Sequence, residues 1–226
     1  MIFPIGDQQV HGGHRPLVSY TLIVLNLVVF LYQATLPADQ LQQLVFDYGA
    51  TPVVILRGQD YFTLFSSMFL HGGWMHLLGN MLFLWIFADN IEAVIGSGLF
   101  LLFYLTGGVV ASGAHVFFNP GSAIPSIGAS GAISAVMGAY LVMFPVSRIK
   151  VLILIFFRAI YVPAMAFLGF WIVQQLVSGY YSLGMAATEG SGGVAWWAHI
   201  GGFVFGLVSG WFFRQRFQPQ KYALTA

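Results

Sequence analysis

Residues 119–144 read NPGSAIPSIGASGAISAVMGAYLVMF. The second half, Ser130 to Phe144, is apolar throughout and interrupted only by small residues, so it predicts a helix buried in an apolar medium. Its fifteen residues rise about 22 Å, short of the roughly 30 Å of a bilayer core. The first half makes up the depth. Pro120, Gly121, Ser122, Pro125, Ser126 and Gly128 prevent a helix, so Asn119 to Ala129 is expected to dip in as irregular backbone. Such backbone survives at membrane depth only where protein encloses it or a wet cavity borders it. Ser130 then opens a helix below the surface, where unpaired N–H groups and the positive dipole end favour a developing negative charge.

Composition points to the same solvent. Of 226 residues, 58% are apolar and 7% charged, against roughly a quarter charged in soluble domains. Apolar runs between breakers predict six crossings: Leu17 to Thr35, Trp74 to Ala88, Leu99 to Phe118, Ser130 to Phe144, Ile160 to Ser178 and Val194 to Phe213. The expected fold is an all-α, polytopic bundle in a single membrane domain over 1–226. Residues 1–16 and 217–226 form its short cytoplasmic ends. The start of the fifth crossing stays open, because Val151 to Phe157 is also apolar and Arg158 and Pro163 either break a longer helix or mark its beginning. No cysteine occurs, which excludes disulfides, thiol catalysis and iron–sulfur sites. The net charge of +1 carries no basic cluster for nucleic acid. The first sixteen residues lack the order of a cleavable signal, so the first apolar run is expected to remain as an anchor.

Short cytoplasmic loops retain Lys and Arg. With six crossings both termini share one side, and that side carries Arg15, Arg148, Lys150, Arg158, Arg214, Arg216 and Lys221, leaving only Arg57 opposite. The termini are therefore assigned to the cytoplasm, in a multi-pass protein expected in a bacterial inner membrane. The connection from Leu36 to Gly73 is then extracytoplasmic and is expected to lie along the lipid interface.

Strongly polar side chains inside a membrane need a reason to be there. Singly, Ser130 could bond its own backbone, and His76, Asn80 and His199 could serve as interhelical glue. Depth unites them. Ser130 lies 14 residues above Phe144, His199 14 above Phe213 and His76 13 above Asp89, which puts all three about 20 Å above the inner edge of the core. Asn80 is one turn below His76 on the same face. Residue size also draws two of these helices together. Gly202, Gly206 and Gly210 follow His199 on its face, and Gly131, Ser134 and Gly138 follow Ser130, so the backbones can approach closely.

A serine hydroxyl becomes a nucleophile when a neutral imidazole takes its proton. No acidic residue occurs between Glu92 and Glu189, so the expected arrangement is a dyad of Ser130 and His199. His76, Asn80 and the Ser130 backbone N–H would surround a carbonyl oxygen as it becomes negative. No metal-ligand motif of the His-Glu-x-x-His kind and no aspartate pair in the membrane segments is present. A His71, His76 and His199 metal site would leave Asn80 and Ser130 without a role, so neither metal nor cofactor is expected.

Three motifs stand together: Gly128-Ala129-Ser130-Gly131, His76-x-x-x-Asn80 within His71-Gly72-Gly73-Trp74-Met75-His76, and Ala198-His199-x-x-Gly202-x-x-x-Gly206. In this order and on these helices they resemble the rhomboid intramembrane serine proteases, over nearly the whole chain. The resemblance implies a six-helix catalytic core, Ser130 and His199 as the dyad, and His76 and Asn80 with backbone amides as the oxyanion hole. It also implies cofactor-free cleavage of single-pass membrane substrates near their extracytoplasmic end, commonly after a small residue. Glu92 followed by Gly96 looks like the acidic turn of the family, where a structural role is expected. Two positions depart from some relatives. Ser134 stands where they carry an aromatic residue against the histidine, and Gly79 where they carry a bulky one before the asparagine, so both leave more room near the dyad.

The loop from Gly179 to Gly193, with Gly184, Gly190, Gly192 and Gly193, is expected to cap the site and to move with the fifth crossing. Two rivals to the protease reading are weaker. A client-binding relative without activity would usually lack the serine or the histidine, and a transporter would show inverted repeats with paired broken helices.

Overall fold

The computed structural model describes residues 2–11, 13–183, 194–217 and 223–225. Residues 184–193, on which most of the expected cap falls, lie outside the described residues, as do 218–222 of the tail.

Two strands, β1 (Ile2–Asp7) and β2 (Gln9–His11), precede α1 (Leu17–Thr35). The first connection then folds into short helices, α2 (Ala38–Tyr48), α3 (Pro52–Leu56) and α4 (Thr63–Ser66). The body of the protein comprises α5 (Trp74–Ile95), α6 (Ser97–Phe118), α7 (Ser130–Met143), α8 (Ala164–Ser182) and α9 (Trp196–Phe217). A hairpin of β3 (Arg148–Ile153) and β4 (Arg158–Pro163) joins α7 to α8, and β5 (Ala223–Thr225) ends the described chain.

The all-α expectation needs correction. The chain is mostly helical, but β1, β3 and β4 form an antiparallel sheet in the order β1-β3-β4, and β2 pairs with β5. Apolar runs at the bundle end formed these strands because alternate residues have a helix-end surface to cover: Ile149 and Val151 are buried, while Arg148 on the other face is exposed. Val162 pairs with Ile149, so Ile160 to Pro163 belong to β4 and the fifth crossing begins at Ala164 rather than Ile160. Pro163 suits that boundary, since proline is tolerated where a helix starts and not within it.

Three helices, α1, α5 and α6, are long and apolar enough to cross a membrane by length and composition. The other three expected crossings do not meet that measure. α7 has 14 residues, and α8 and α9 are less apolar because they carry Gln174, Gln175, His199, Arg214 and Arg216. α7 is the hub, with every residue from Gly131 to Tyr140 buried. α1 and α8 instead expose Val24, Val28, Leu31, Phe170, Val173 and Leu176, side chains suited to lipid.

α5 runs seven residues past the expected end at Ala88. Asp89, Asn90 and Glu92 do not stop it, because each finds partners. Asn90 Oδ1 accepts the Val10 N–H at 2.7 Å and Asn90 Nδ2 donates to Asp7 Oδ2 at 2.7 Å, tying the N-terminal strands beneath the helix. Glu92 is wholly buried and accepts from the Val18 N–H (2.8 Å), the Ser19 N–H (2.7 Å), the Ser19 hydroxyl (2.6 Å) and the Ser97 hydroxyl. One carboxylate thus caps the first turn of α1 and meets the start of α6. The chain turns between α5 and α6 at Gly96, whose φ of +83° only glycine adopts without strain.

Candidate active site

Three helix starts assemble the site. Ser130 is the first residue of α7, His76 the third of α5 and His199 the fourth of α9. The inner ends used to gauge depth in the sequence lie further down, at Ile95 and Phe217, so the shared level rests on these starts and on the contacts between them.

His199 Nε2 is 2.8 Å from Ser130 Oγ, and both residues are half-buried. The approach is possible because α7 packs most extensively against α9. A Cβ on Gly202 would collide with the Gly131 carbonyl oxygen, and one on Gly206 with that of Ala135. Gly138 abuts the Phe203 carbonyl in the same way, and Gly131 faces Ala111 and Ala198. Ser134 is fully buried and donates its hydroxyl to the Ser130 carbonyl at 2.6 Å. Gly131, Gly138, Gly202 and Gly206 therefore lie in the seams between α7 and its neighbours, while Ser134 bonds back within α7.

The irregular approach to Ser130 is held by the first connection. Ala50 and Ser126 exchange backbone hydrogen bonds of 3.0 and 2.9 Å, the Val53 N–H donates to the Ser122 carbonyl at 3.1 Å, and the Gly128 N–H donates to the Ser67 carbonyl at 2.8 Å. Protein thus satisfies this backbone, as an apolar surrounding demands.

Gly128 has a φ of +128°, and the space a Cβ there would fill lies 2.7 Å from His76 Nε2 and 3.6 Å from Asn80 Nδ2. Both side chains therefore converge just before Ser130. His76 Nδ1 accepts the Gly72 N–H at 3.3 Å, which leaves Nε2 as the protonated nitrogen facing Gly128. Asn80 Nδ2 lies 3.0 Å from His71 Nε2. Burial, reinforced by the neighbouring His76, pushes the His71 imidazole down to about 4, so it is neutral near pH 7 and can accept from the amide. Its backbone is clamped from α1, where Gln33 donates to the His71 carbonyl (3.2 Å) and accepts its N–H (3.0 Å).

Sequence reasoning passed over two neighbours of the site, Trp171 and Gln175, and gave His71 no part beyond a rejected metal site. Gln175 Oε1 on α8 lies 2.7 Å from His199 Nδ1, and Gln175 is buried. The Trp171 ring, one turn earlier on α8, sits 5.8 Å from the His199 ring. An aromatic wall is thus present beside the histidine, supplied by α8 rather than by the position of Ser134. A glutamine within a crossing is a signal in itself, but Gln174 and Gln175 are adjacent and the pattern does not say which one faces inward.

A family model described as the rhomboid domain matches residues 58–216. The chain is 32% identical over 135 residues to Rhomboid protease GluP of Bacillus subtilis, covering 60% of this chain and 26% of that protein. It is 27% identical over 250 residues to the mitochondrial Rhomboid protein 1 of Saccharomyces cerevisiae, covering 95% and 69%. It is 30% identical over 149 residues to the mitochondrial Presenilin-associated rhomboid-like protein A of Danio rerio, covering 62% and 34%. The chain thus spans about a quarter of the bacterial relative and a third of the zebrafish one. Because mitochondrial proteins stand beside the bacterial one, these relatives support an integral membrane protein and do not support the expected bacterial inner membrane. With a matching domain over most of its length and the motifs of residues 71–80, 128–131 and 198–206 gathered at one site, the chain belongs to the rhomboid family.

Proposed function

We propose that this protein is an intramembrane serine endopeptidase that cleaves single-pass transmembrane substrates near their extracytoplasmic end. The observation that carries the reading is the 2.8 Å approach of His199 Nε2 to Ser130 Oγ at a buried helix N-terminus. A neutral imidazole there takes the hydroxyl proton as Oγ attacks the scissile carbonyl, then returns it to the leaving amine. Water entering from the extracytoplasmic side repeats the sequence on the acyl-enzyme and frees Ser130. No cofactor takes part.

As the carbonyl oxygen becomes negative, His76 Nε2–H, the Asn80 amide and the Ser130 backbone N–H act as its donors. The convergence of the two side chains on Gly128 supports this assignment, and the first-turn amides of α7 have no acceptor within their own helix. The sheet residues Ile2–Asp7 and Arg148–Pro163 meet at the helix end opposite Ser130, the end that carries most cations. That supports termini on the cytoplasmic side. Gly131, Gly138, Gly202 and Gly206 serve to hold α7 and α9 in contact, and Ser134 braces the first turn of α7 through the Ser130 carbonyl.

The test is reconstitution of the full chain in vesicles with a single-pass substrate. Wild type is expected to cleave it and to label with a fluorophosphonate at Ser130, and Ser130→Ala and His199→Ala are each expected to abolish cleavage. Undiminished cleavage by Ser130→Ala would overturn the proposal.

A further inference from the structure

The carboxylates of Asp7, Asp89 and Glu92 gather where the N-terminal segment meets α5, remote from the site, and their partners there are backbone and side-chain donors. His199 instead meets a neutral amide. Gln175 is 4% exposed on a helix whose neighbouring turns are apolar, and burying an amide in such surroundings is unfavourable unless a partner repays it. Its Oε1 lies 2.7 Å from His199 Nδ1, while the opposite ring nitrogen faces Ser130 Oγ at 2.8 Å.

We propose that Gln175 is a positioning residue for the dyad: its Oε1 accepts the Nδ1–H of His199, fixing the tautomer and ring plane that leave Nε2 free to take the Ser130 proton. The inference rests on the serine-protease reading above. An amide oxygen can only accept, so the contact selects the Nδ1–H tautomer and excludes the one in which Nε2 is protonated and useless as a base. The amide does this without placing a second charge in a low-dielectric surrounding, where an unpaired carboxylate would be costly. Trp171, four residues earlier, lies on the same face of α8 and bounds the ring on one side. α8 therefore sets the alignment of the base, and a displacement of α8 away from α9 would uncouple it.

Two variants and two readouts in the reconstituted full chain test this. Gln175→Met keeps the length and removes the acceptor. Its kcat is expected to fall at least about tenfold with KM within about twofold, because orientation of the base and not substrate binding is lost. Gln175→Glu restores an acceptor, so kcat is expected to recover, and the acid limb of kcat/KM to move to higher pH, since a carboxylate favours the protonated ring. Nitrogen-15 NMR of His199 is expected to report the Nδ1–H tautomer in wild type and a mixture in Gln175→Met. An unchanged kcat in Gln175→Met, or equal losses in both variants with an unmoved pH profile and the same lowered melting temperature, would overturn the proposal. The NMR readout separates it from the protease reading. A tautomer shift on Gln175→Met, beside a wild type that cleaves nothing, removes the enzyme assignment and leaves the contact, and cleavage by wild type with no tautomer shift in the variant does the reverse.

Discussion

The carbonyl oxygen of Ala135 on α7 lies where a Cβ of Gly206 on α9 would project, so the two helices touch backbone to backbone. That contact sits below the dyad and sets the distance across which Ser130 and His199 meet. Gly206 follows His199 by seven residues on one face of α9, and Ala135 follows Gly131, the neighbour of Ser130, by one turn of α7, so the seam runs beside the site.

Gly206→Val is expected to destabilise the fold by about 1–3 kcal/mol through forced separation of α7 and α9, and to lower kcat with it. Gly113→Ala on α6 is the control. A Cβ there meets nothing within 4 Å, and relief of glycine entropy should leave stability unchanged or raise it by about 0.5–1 kcal/mol. Denaturant unfolding of the two variants in one detergent checks the contrast.

Asn80→Ala is expected to reduce kcat by about 10²- to 10³-fold while leaving the melting temperature close to wild type, the usual cost of one oxyanion donor. Steady-state cleavage of a reconstituted substrate, with melting followed in parallel, measures both. A matching loss of folded protein would instead mark Asn80 as a structural partner of His71.

Glu92→Gln replaces an acceptor of four hydrogen bonds with an amide whose NH2 must point a donor at the N–H of either Val18 or Ser19. A loss of about 2–3 kcal/mol is expected, with the first turn of α1 exchanging faster. Unfolding and amide hydrogen exchange in α1 report it, and neither readout involves the dyad.

Asp7 links stability to pH. Burial pushes its carboxyl up to about 7, opposed by the hydrogen bond from Tyr140 on α7 at 2.5 Å, raised further by Asp89 on α5, and opposed again by Asn90 and Gln9. The folded form therefore holds a proton that the unfolded chain releases near pH 4, and stability falls as pH rises from there toward 7. Asp7→Asn removes that titration. Limited proteolysis of the N-terminal strands between about pH 5 and 8 is expected to quicken with pH in wild type and to stay level in the variant.

Much of the site was legible in the sequence because the cost of burying polar groups is local. Ser130, His76, Asn80 and His199 stand out against apolar surroundings, and Gly202 and Gly206 mark the face of α9 that meets α7, whereas counting helical rise misjudged the inner ends of α5 and α9. His71 and Gln175 were harder to read. The first lies in a turn whose course is set by Gln33, 38 residues earlier, and the second has a twin at Gln174. Which of two adjacent glutamines faces a histidine on another helix depends on how the helices are rotated against each other.

The sequence by itself determined the membrane as solvent, the apolar segments, the broken approach to Ser130 and the polar residues that stand out within them, since each follows from composition or from spacing along one segment. Only the tertiary structure decided that the runs flanking Phe157 form strands, that α5 continues to Ile95, and that His199 turns Nδ1 toward Gln175. Those outcomes depend on pairing between segments far apart in the chain, where register, helix rotation and the partner of each buried polar group are chosen jointly.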